Sequence, residues 1–352
     1  MKMAGFAEYR EMVNRELESF VKASTNPQAR GWESKFDSLM MDYIMNSGKR
    51  MRPILGIMVY KGLGGKDVKS MIQMSRSFEL LHNACLIHDD IMDMSPTRRG
   101  KPTFHKAMQH WMEEHGQLGR AEEDGKNIGI LGGDYFIFMS IRSIMDSNFP
   151  AEIKAEAAKI VCQLAERTVR GQVLDMEFAN REIREKDYMR LIELKTAVFF
   201  EGTVKVAAVA SGASKRVDRK LAQYAMNMGY AFQIKDDMIG LFGSEDTIGK
   251  SNKSDVEEGK NTILMIKARE MGNSKVNATI DSILGKRHIS NVELEKIKKA
   301  VTDSGALNYT RGLLDSYAIS SNKILEDIRG NMYKDSYTFL NNLVSFTVNR
   351  KF

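Results

Sequence analysis

Apolar residues recur along this chain every three to four positions, the period of an α-helix with one buried face. Phe78, Leu81, Cys85 and Met92 follow that spacing, and so do Ile153, Ala157, Ile160 and Leu164. Val/Ile/Thr-rich alternation, the mark of a strand, is nearly absent. Prolines stand at 27, 53, 96, 102 and 150, with none beyond. A second half without proline permits long uninterrupted helices. Polar, glycine-rich breaks fall at KGLGGKD (61–67), MSPTRRGKPT (94–103), EEHGQLGRAEEDGKN (113–127), SNFP (147–150), SGASK (211–215), FGSEDTIGKSNKSDVEEGKN (242–261) and SILGKRH (282–288). They leave roughly ten helical segments, most of about 15–25 residues. No compositional linker divides the chain. The pattern predicts an all-α protein with a single large domain over residues 1–352, the first roughly 25 residues forming a peripheral helix.

Composition adds little to that picture and removes several alternatives. The chain is 43% hydrophobic and 28% charged, ordinary for a soluble globular protein. Its net charge is +6, but Lys and Arg are interleaved with Asp and Glu. A nucleic-acid binder gathers its cations in a stripe, so no nucleic-acid partner is expected. The 24 methionines supply flexible apolar filler. Cys85 and Cys162 both fall in apolar helical patterns, as buried thiols of a cytoplasmic protein would. The first twenty residues contain acids and no apolar core, unlike a signal peptide. No run approaches the roughly 18–20 apolar residues of a spanning helix, because AVFFEGTVKVAAVASGA (197–213) is interrupted by Glu201 and Lys205.

Candidate chemistry begins in FELLHNACLIHDDIMDM (78–94). Asp89 and Asp93 are four apart and share a helix face; Asp90 lies beside them. His82 sits two turns earlier on nearly the same face. Paired carboxylates repel, and the C-terminal end of a helix disfavours negative charge. Folding does not ask for that arrangement, whereas Mg2+ rewards it, preferring carboxylate and phosphate oxygens. A solvated acidic turn is the plain alternative. The continuation SPTRRGKPT (95–103) weighs against it, because adjacent Arg98 and Arg99 suit bidentate phosphate recognition.

A second aspartate pair repeats the device in YAFQIKDDMIGLFG (230–243), with Gln233 three residues before Asp236 and Asp237 following. Carboxylates opposite the first set would let metal ions grip one polyphosphate from two sides. Lys250 and Lys260 lie in the polar stretch TIGKSNKSDVEEGKN (247–261), which alone reads as a surface loop. ELKTAVFFEG (193–202) places Lys195 and Thr196 in an apolar helix, where a lysine either snorkels or faces a buried anion. NSGKRMRPIL (46–55) places Lys49 and Arg52 three apart on one face of a helix starting near Pro53. Cations at a helix N-terminus fit an anion-binding role.

Together these segments resemble the trans-isoprenyl (polyprenyl) diphosphate synthases. The motifs, in order, are GKRMRP, LLHNACLIHDDIMD, RRGKPT, LGGDYF (131–136), GQVLD (171–175), LKTA (194–197), QIKDD and the GK…SD..EGK.T stretch (249–262). Each is weak by itself, but the ordered set is specific. The second half is closest in pattern to archaeal short-chain enzymes. The resemblance implies a bundle of antiparallel helices around a central cavity, a homodimer, and Mg2+ as cofactor with Mn2+ as a substitute.

It also implies roles. Asp89, Asp93 and Asp236 would ligate Mg2+, with Asp90 and Asp237 as secondary ligands. Arg98, Lys195, Lys250 and Lys260 would hold the allylic diphosphate. Lys49, Arg52, His82 and Arg99 would hold isopentenyl diphosphate. Thr196 and Gln233 would stand beside the reacting carbons. The implied reaction ionises the allylic C–O bond and joins the resulting cation to isopentenyl diphosphate, head to tail, with water excluded.

Several features depart from the pattern. Gly240 stands where many relatives carry a third aspartate. Residues 104–129 are longer than the compact family version and read as an enlarged surface loop or dimer contact. The basic ending NRKF reads as a frayed terminus, with closure over the isopentenyl site as the alternative. Ala84 and Cys85, one turn before Asp89, are small where several short-chain relatives carry an aromatic floor. Their size points to geranylgeranyl diphosphate as product, with farnesyl or longer chains as alternatives. A class I terpene cyclase shares the metal motif, but it has no isopentenyl site, and Lys49, Arg52 and QIKDD argue against it. A non-catalytic subunit of the same fold would have lost motif residues that are filled here.

Overall fold

A computed structural model describes residues 5–46, 48–117, 119–179, 181–243 and 252–350. In chain order the helices are α1 (Phe6–Lys22), α2 (Gly31–Met45), α3 (Met51–Gly62), α4 (Val68–Met92), α5 (Phe104–Glu114), α6 (Ala121–Met145), α7 (Ala151–Phe178) and α8 (Glu185–Ile192). A π-helical turn, Glu193–Ala197, leads into α9 (Val198–Ser211) and then α10 (Lys215–Phe242). The short α11 (Ser254–Glu257) precedes α12 (Ile263–Met271), α13 (Ser274–Ile283), α14 (Asn291–Asp303), α15 (Ala306–Asp327) and α16 (Lys334–Asn349). Among the described residues the only strands are β1 (Thr97–Arg98) and β2 (Lys101–Pro102), an antiparallel pair. The protein is all-α, as the periodicity predicts.

The chain divides into two compact units. The first comprises Met1–Cys162, Thr203–Ser214 and Asn331–Phe339. Its centre is α4, buried on nearly every side from Ser70 to Leu81. Asp67 starts that helix by accepting a hydrogen bond from the Ser70 N–H at 3.0 Å. Two polar side chains that α4 carries inward find partners there: Arg76 Nε donates to Ser143 Oγ at 2.9 Å, and Asn83 Nδ2 to the Glu79 carbonyl at 2.7 Å. Helix α1 buries Val13, Leu17, Phe20 and Val21 in this unit.

Residues 104–129 do not form the expected loop. They build α5 and the first turns of α6, because Phe104, Met108 and Met112 make an apolar stripe on α5. Gly125 lets the helices meet; a Cβ there would stand 2.7 Å from the His105 carbonyl oxygen. Helix α6 is also long and apolar enough to cross a membrane by length and composition. Of its most apolar window, 44% is buried within the protein.

The second unit comprises Gln163–Gly202, Lys215–Gly330 and Leu340–Phe352. Helix α10 runs through it, packed chiefly on α15. Ile234, Met238 and Leu241 join Ile263, Ile280, Ile297 and Leu314 in its core. A capping box starts α14: Ser290 Oγ accepts from Glu293 N, and Glu293 Oε2 accepts from Ser290 N. Both cysteines are free thiols. Cys162 is exposed rather than buried, while Ala157, Ile160, Val161 and Leu164 around it face inward on α7.

Candidate active site

The first aspartate motif closes α4. Asp93 is the C-cap, its N–H bonded to the Asp89 carbonyl at 2.8 Å, so the two residues keep helical register on one face. The helix ends in a Schellman turn: Met94 N–H reaches the Ile91 carbonyl and Ser95 N–H the Asp90 carbonyl, at 3.2 and 2.9 Å. Met94 takes the left-handed conformation there, φ 53°, normally left to glycine. The turn sends the chain into the hairpin, whose corner is Arg99 and Gly100, φ 54° and 74°. Two successive left-handed residues match the twist of so tight a hairpin.

That hairpin folds Arg98 back onto the motif. Its Nε lies 2.8 and 2.9 Å from the two carboxylate oxygens of Asp90, and Nη2 lies 2.7 Å from Oδ1. Tyr43 donates to Asp90 Oδ2 at 3.0 Å. Burial raises the Asp90 pKa, and the Arg98 and Tyr43 hydrogen bonds work against that rise. Asp90 is thus an internal anchor, while Asp89 and Asp93 remain partly open to solvent. Burial holds His82 well below its ordinary pKa, reinforced by Arg52, Arg99, Arg98 and Arg50. It is therefore a neutral imidazole at pH 7, set among guanidinium groups.

In the second unit the second motif lies on the last turns of α10. Asp237 is buried, accepting from Tyr188 at Oδ2 (2.7 Å) and from Gln233 Nε2 at Oδ1 (2.8 Å). Gln233 Oε1 in turn accepts from the Thr196 hydroxyl at 2.7 Å. Burial pushes the Asp237 pKa up to about 7; hydrogen bonds from Tyr188 and Gln233 oppose it, and Asp255 and Asp236 reinforce it. Thr196 and Lys195 sit on the π turn, where the widened backbone departs from α-helical spacing. Two glycines let neighbours reach that turn. A Cβ on Gly171 would stand 2.8 Å from the Lys195 nitrogen, and one on Gly229 only 2.3 Å from the Ala197 Cα. Lys195 pairs with Asp175 of GQVLD.

Asp236 lies beside this chain and pairs with Arg350. Where Gly240 replaces a third aspartate, the carboxylate of Asp255 fills the gap: its Oδ2 is 2.3 Å from where a Gly240 Cβ would stand. Lys260 lies 3.8 Å from Asp255 and also pairs with Glu258.

A family model described as Polyprenyl synthetase matches residues 34–302. The chain belongs to the polyprenyl synthetase family. It is 30% identical over 312 residues to the geranylfarnesyl diphosphate synthase of Aeropyrum pernix, covering 87% of this chain and 92% of that one. It is 29% identical over 349 residues to the geranylgeranyl diphosphate synthase of Saccharolobus solfataricus, covering 98% and 97%. The solved geranylgeranyl pyrophosphate synthase of Corynebacterium glutamicum, complexed with isoprenyl diphosphate and magnesium, matches with a TM-score of 0.91 over 100% of both chains at 25% identity. The fold is that of the isoprenoid synthases, and the protein is a prenyltransferase, a prenyl diphosphate synthase.

The synthase departs from the sequence reading in three places. Lys49 and Arg52 do not share a helix face. Helix α3 begins only at Met51, because Arg50 is left-handed (φ 53°) and turns the chain inward. Arg50 itself is 1% exposed, paired with Glu79 at 2.8 Å and bonded to Asn14, while Lys49 is exposed outside the helix. Of the basic ending NRKF, Asn349 closes α16 and Arg350 pairs with Asp236, while residues 351–352 lie outside the described residues. Ala84 is fully buried, whereas Cys85 is partly open, so the two floor candidates are not equivalent. Lys250 lies outside the described residues. Sequence reasoning missed Tyr188, Asp175 and Asp255; GQVLD and the SD..EGK stretch contained the last two without suggesting a role.

Proposed function

We propose that this synthase condenses isopentenyl diphosphate with allylic diphosphates, head to tail, and that its main product is geranylgeranyl diphosphate. Asp89, Asp93 and Asp236 would hold Mg2+, with Mn2+ as a substitute. Their hard oxygen donors, two of them four apart at a helix end that disfavours bare negative charge, suit such a cation. Bound there, the metal supplies Lewis-acid stabilisation of the departing diphosphate.

The chain's own groups do the rest. Lys195, Lys250, Lys260 and Arg98 bind the allylic diphosphate. Lys49, Arg52, Arg99 and neutral His82 bind the isopentenyl diphosphate. Thr196 and Gln233 face the carbons that acquire positive charge, and apolar helices keep water from trapping the cation. The hydrogen-bonded series from Thr196, on the π turn with Lys195, to Gln233 and Asp237 on α10 beside Asp236 carries this reading. A helical scaffold gains nothing from burying a carboxylate beside a second one.

The product assignment draws support from Cys85, a small and partly open side chain one turn before Asp89. It also draws on relatives named for geranylgeranyl and geranylfarnesyl diphosphates. The protein works as a homodimer built on α6. Leu131, Phe138 and Met145 recur every seven residues on that helix, and Phe138 is 73% exposed. Such a stripe pairs well with a copy of itself. Two free thiols suit a cytoplasmic enzyme.

The test is incubation with labelled isopentenyl diphosphate, Mg2+ and each allylic primer in turn, followed by sizing of the products. A twenty-carbon product is expected. No condensation with any primer overturns the synthase reading; condensation stopping at fifteen carbons, or running well past twenty, overturns the product assignment.

A further inference from the structure

Tyr188 belongs to none of the motifs quoted above, yet it ends a continuous hydrogen-bonded series in the second unit. It lies on α8, is 2% exposed, and donates to Asp237 Oδ2 at 2.7 Å. Asp237 Oδ1 takes the Gln233 amide N–H, and Gln233 Oε1 takes the Thr196 hydroxyl proton. Each step fixes the next. A carboxylate with one donor on each oxygen cannot rotate. The Gln233 NH2 faces it, so the amide oxygen points at Thr196. Thr196 then gives its only proton to Gln233, and both of its lone pairs are directed elsewhere.

We propose that Tyr188 is a positioning residue: through Asp237 and Gln233 it holds the Thr196 hydroxyl as a pure acceptor towards the allylic carbons. This rests on the synthase reading above, which places Thr196 beside those carbons. An oxygen presenting lone pairs stabilises positive charge developing on carbon, whereas an O–H dipole turned the other way opposes it. Without the Tyr188 hydroxyl, Asp237 is held on one oxygen only. Its carboxylate can then turn, the Gln233 amide can flip, and the Thr196 proton is no longer committed. Tyr188 is buried and acts through Asp237 and Gln233, so its contribution belongs to the chemical step and not to diphosphate binding.

The test is a double-mutant cycle. Wild type, Tyr188→Phe, Thr196→Val and the double variant are compared by single-turnover condensation, by KM for both diphosphates, and by thermal melting. Tyr188→Phe is expected to slow the chemical step about tenfold and to leave both KM values within about twofold. The double variant should be no slower than Thr196→Val. Gln233→Met, which cuts the series while sparing the Tyr188–Asp237 bond, should lose rate comparably, and it serves if Tyr188→Phe does not fold. Losses that multiply in the double variant overturn the proposal. So does a rise in KM without a rate loss, or Gln233→Met at the wild-type rate. Wild type that condenses no primer overturns the synthase reading itself, a result separate from any of these.

Discussion

Arg350, just beyond α16, places a guanidinium nitrogen 2.6 Å from Oδ1 of Asp236. Its carbon also lies 4.8 Å from the centre of the Phe232 ring, one turn earlier on α10. The end of the chain therefore neutralises the carboxylate expected to receive a metal ion. A cation arriving at Asp236 competes with this pair. The pair is partly solvated, so it contributes only about 0.5–1 kcal/mol. Arg350→Ala should tighten Mg2+ binding to the substrate-free protein by about two- to fivefold. Calorimetric Mg2+ titration of the two proteins measures it; unchanged or weaker binding in the variant refutes the competition.

The two small residues before Asp89 have different surroundings, and this changes which substitution tests product length. Ala84 is fully buried, so a phenylalanine there must displace packed core atoms, at a cost of about 1–3 kcal/mol. Cys85 is partly open. Cys85→Phe should shorten the main product by at least one five-carbon unit with little loss of stability. Ala84→Phe should lower the melting temperature whatever its effect on chain length. Product sizing and melting curves on the pair decide it. A Cys85→Phe enzyme that makes the wild-type product shows that the floor is supplied elsewhere.

What was legible in the sequence follows helical arithmetic. Asp89 and Asp93 are four apart on an apolar helix, and the structure keeps them in register. The hidden features depend on contacts between segments far apart in the chain. Tyr188 and Asp237 are 49 residues apart, with no local pattern joining them. The π turn at Glu193–Ala197 sits where two glycines, Gly171 and Gly229, bring α7 and α10 unusually close. Lys49 was misplaced because a single left-handed residue, Arg50, stands between it and the first turn of α3. No residue type announces that conformation when it is not glycine. Arg98 was read as a phosphate ligand, and the hairpin that turns it onto Asp90 depends on two successive positive φ angles at Arg99 and Gly100.

His105 gives the fold a pH dependence separate from the chemistry. The Thr103 hydroxyl donates to the Ser95 carbonyl at 2.9 Å, so it can only accept from His105 Nδ1, 3.3 Å away. The remaining ring nitrogen, Nε2, is buried without a hydrogen-bond partner among the described residues. Protonation would place a charge there. Burial first, then Lys106 and Lys126, lowers the His105 pKa from 6.5 to about 4. Between those values the unfolded chain binds the extra proton and the folded chain does not. Stability contributed by neutral His105 is therefore complete above about pH 6.5 and is lost as pH falls towards 4, by about 1–3 kcal/mol. His105→Gln should flatten this part of the curve of stability against pH in urea unfolding. An unchanged slope between pH 6.5 and 4 would show that other groups cause it.

Gly240 and Asp255 stand against each other at the end of the second motif. A Cβ at position 240 would stand 2.3 Å from Asp255 Oδ2, so restoring the third aspartate cannot simply add a ligand. Gly240→Asp must push the Asp255 carboxylate away from its place beside Lys260, and it adds a charge near Asp236 and buried Asp237. Both effects destabilise the metal-free protein, together by about 1–3 kcal/mol. Gly240→Ala carries only the steric part and should lose less. A divalent cation relieves the repulsion but not the clash, so Mg2+ should raise the melting temperature of Gly240→Asp more than that of Gly240→Ala or wild type. Thermal melting of the three proteins with and without Mg2+ separates the two contributions. If Gly240→Asp is as stable as wild type without metal, Asp255 does not occupy that space in solution.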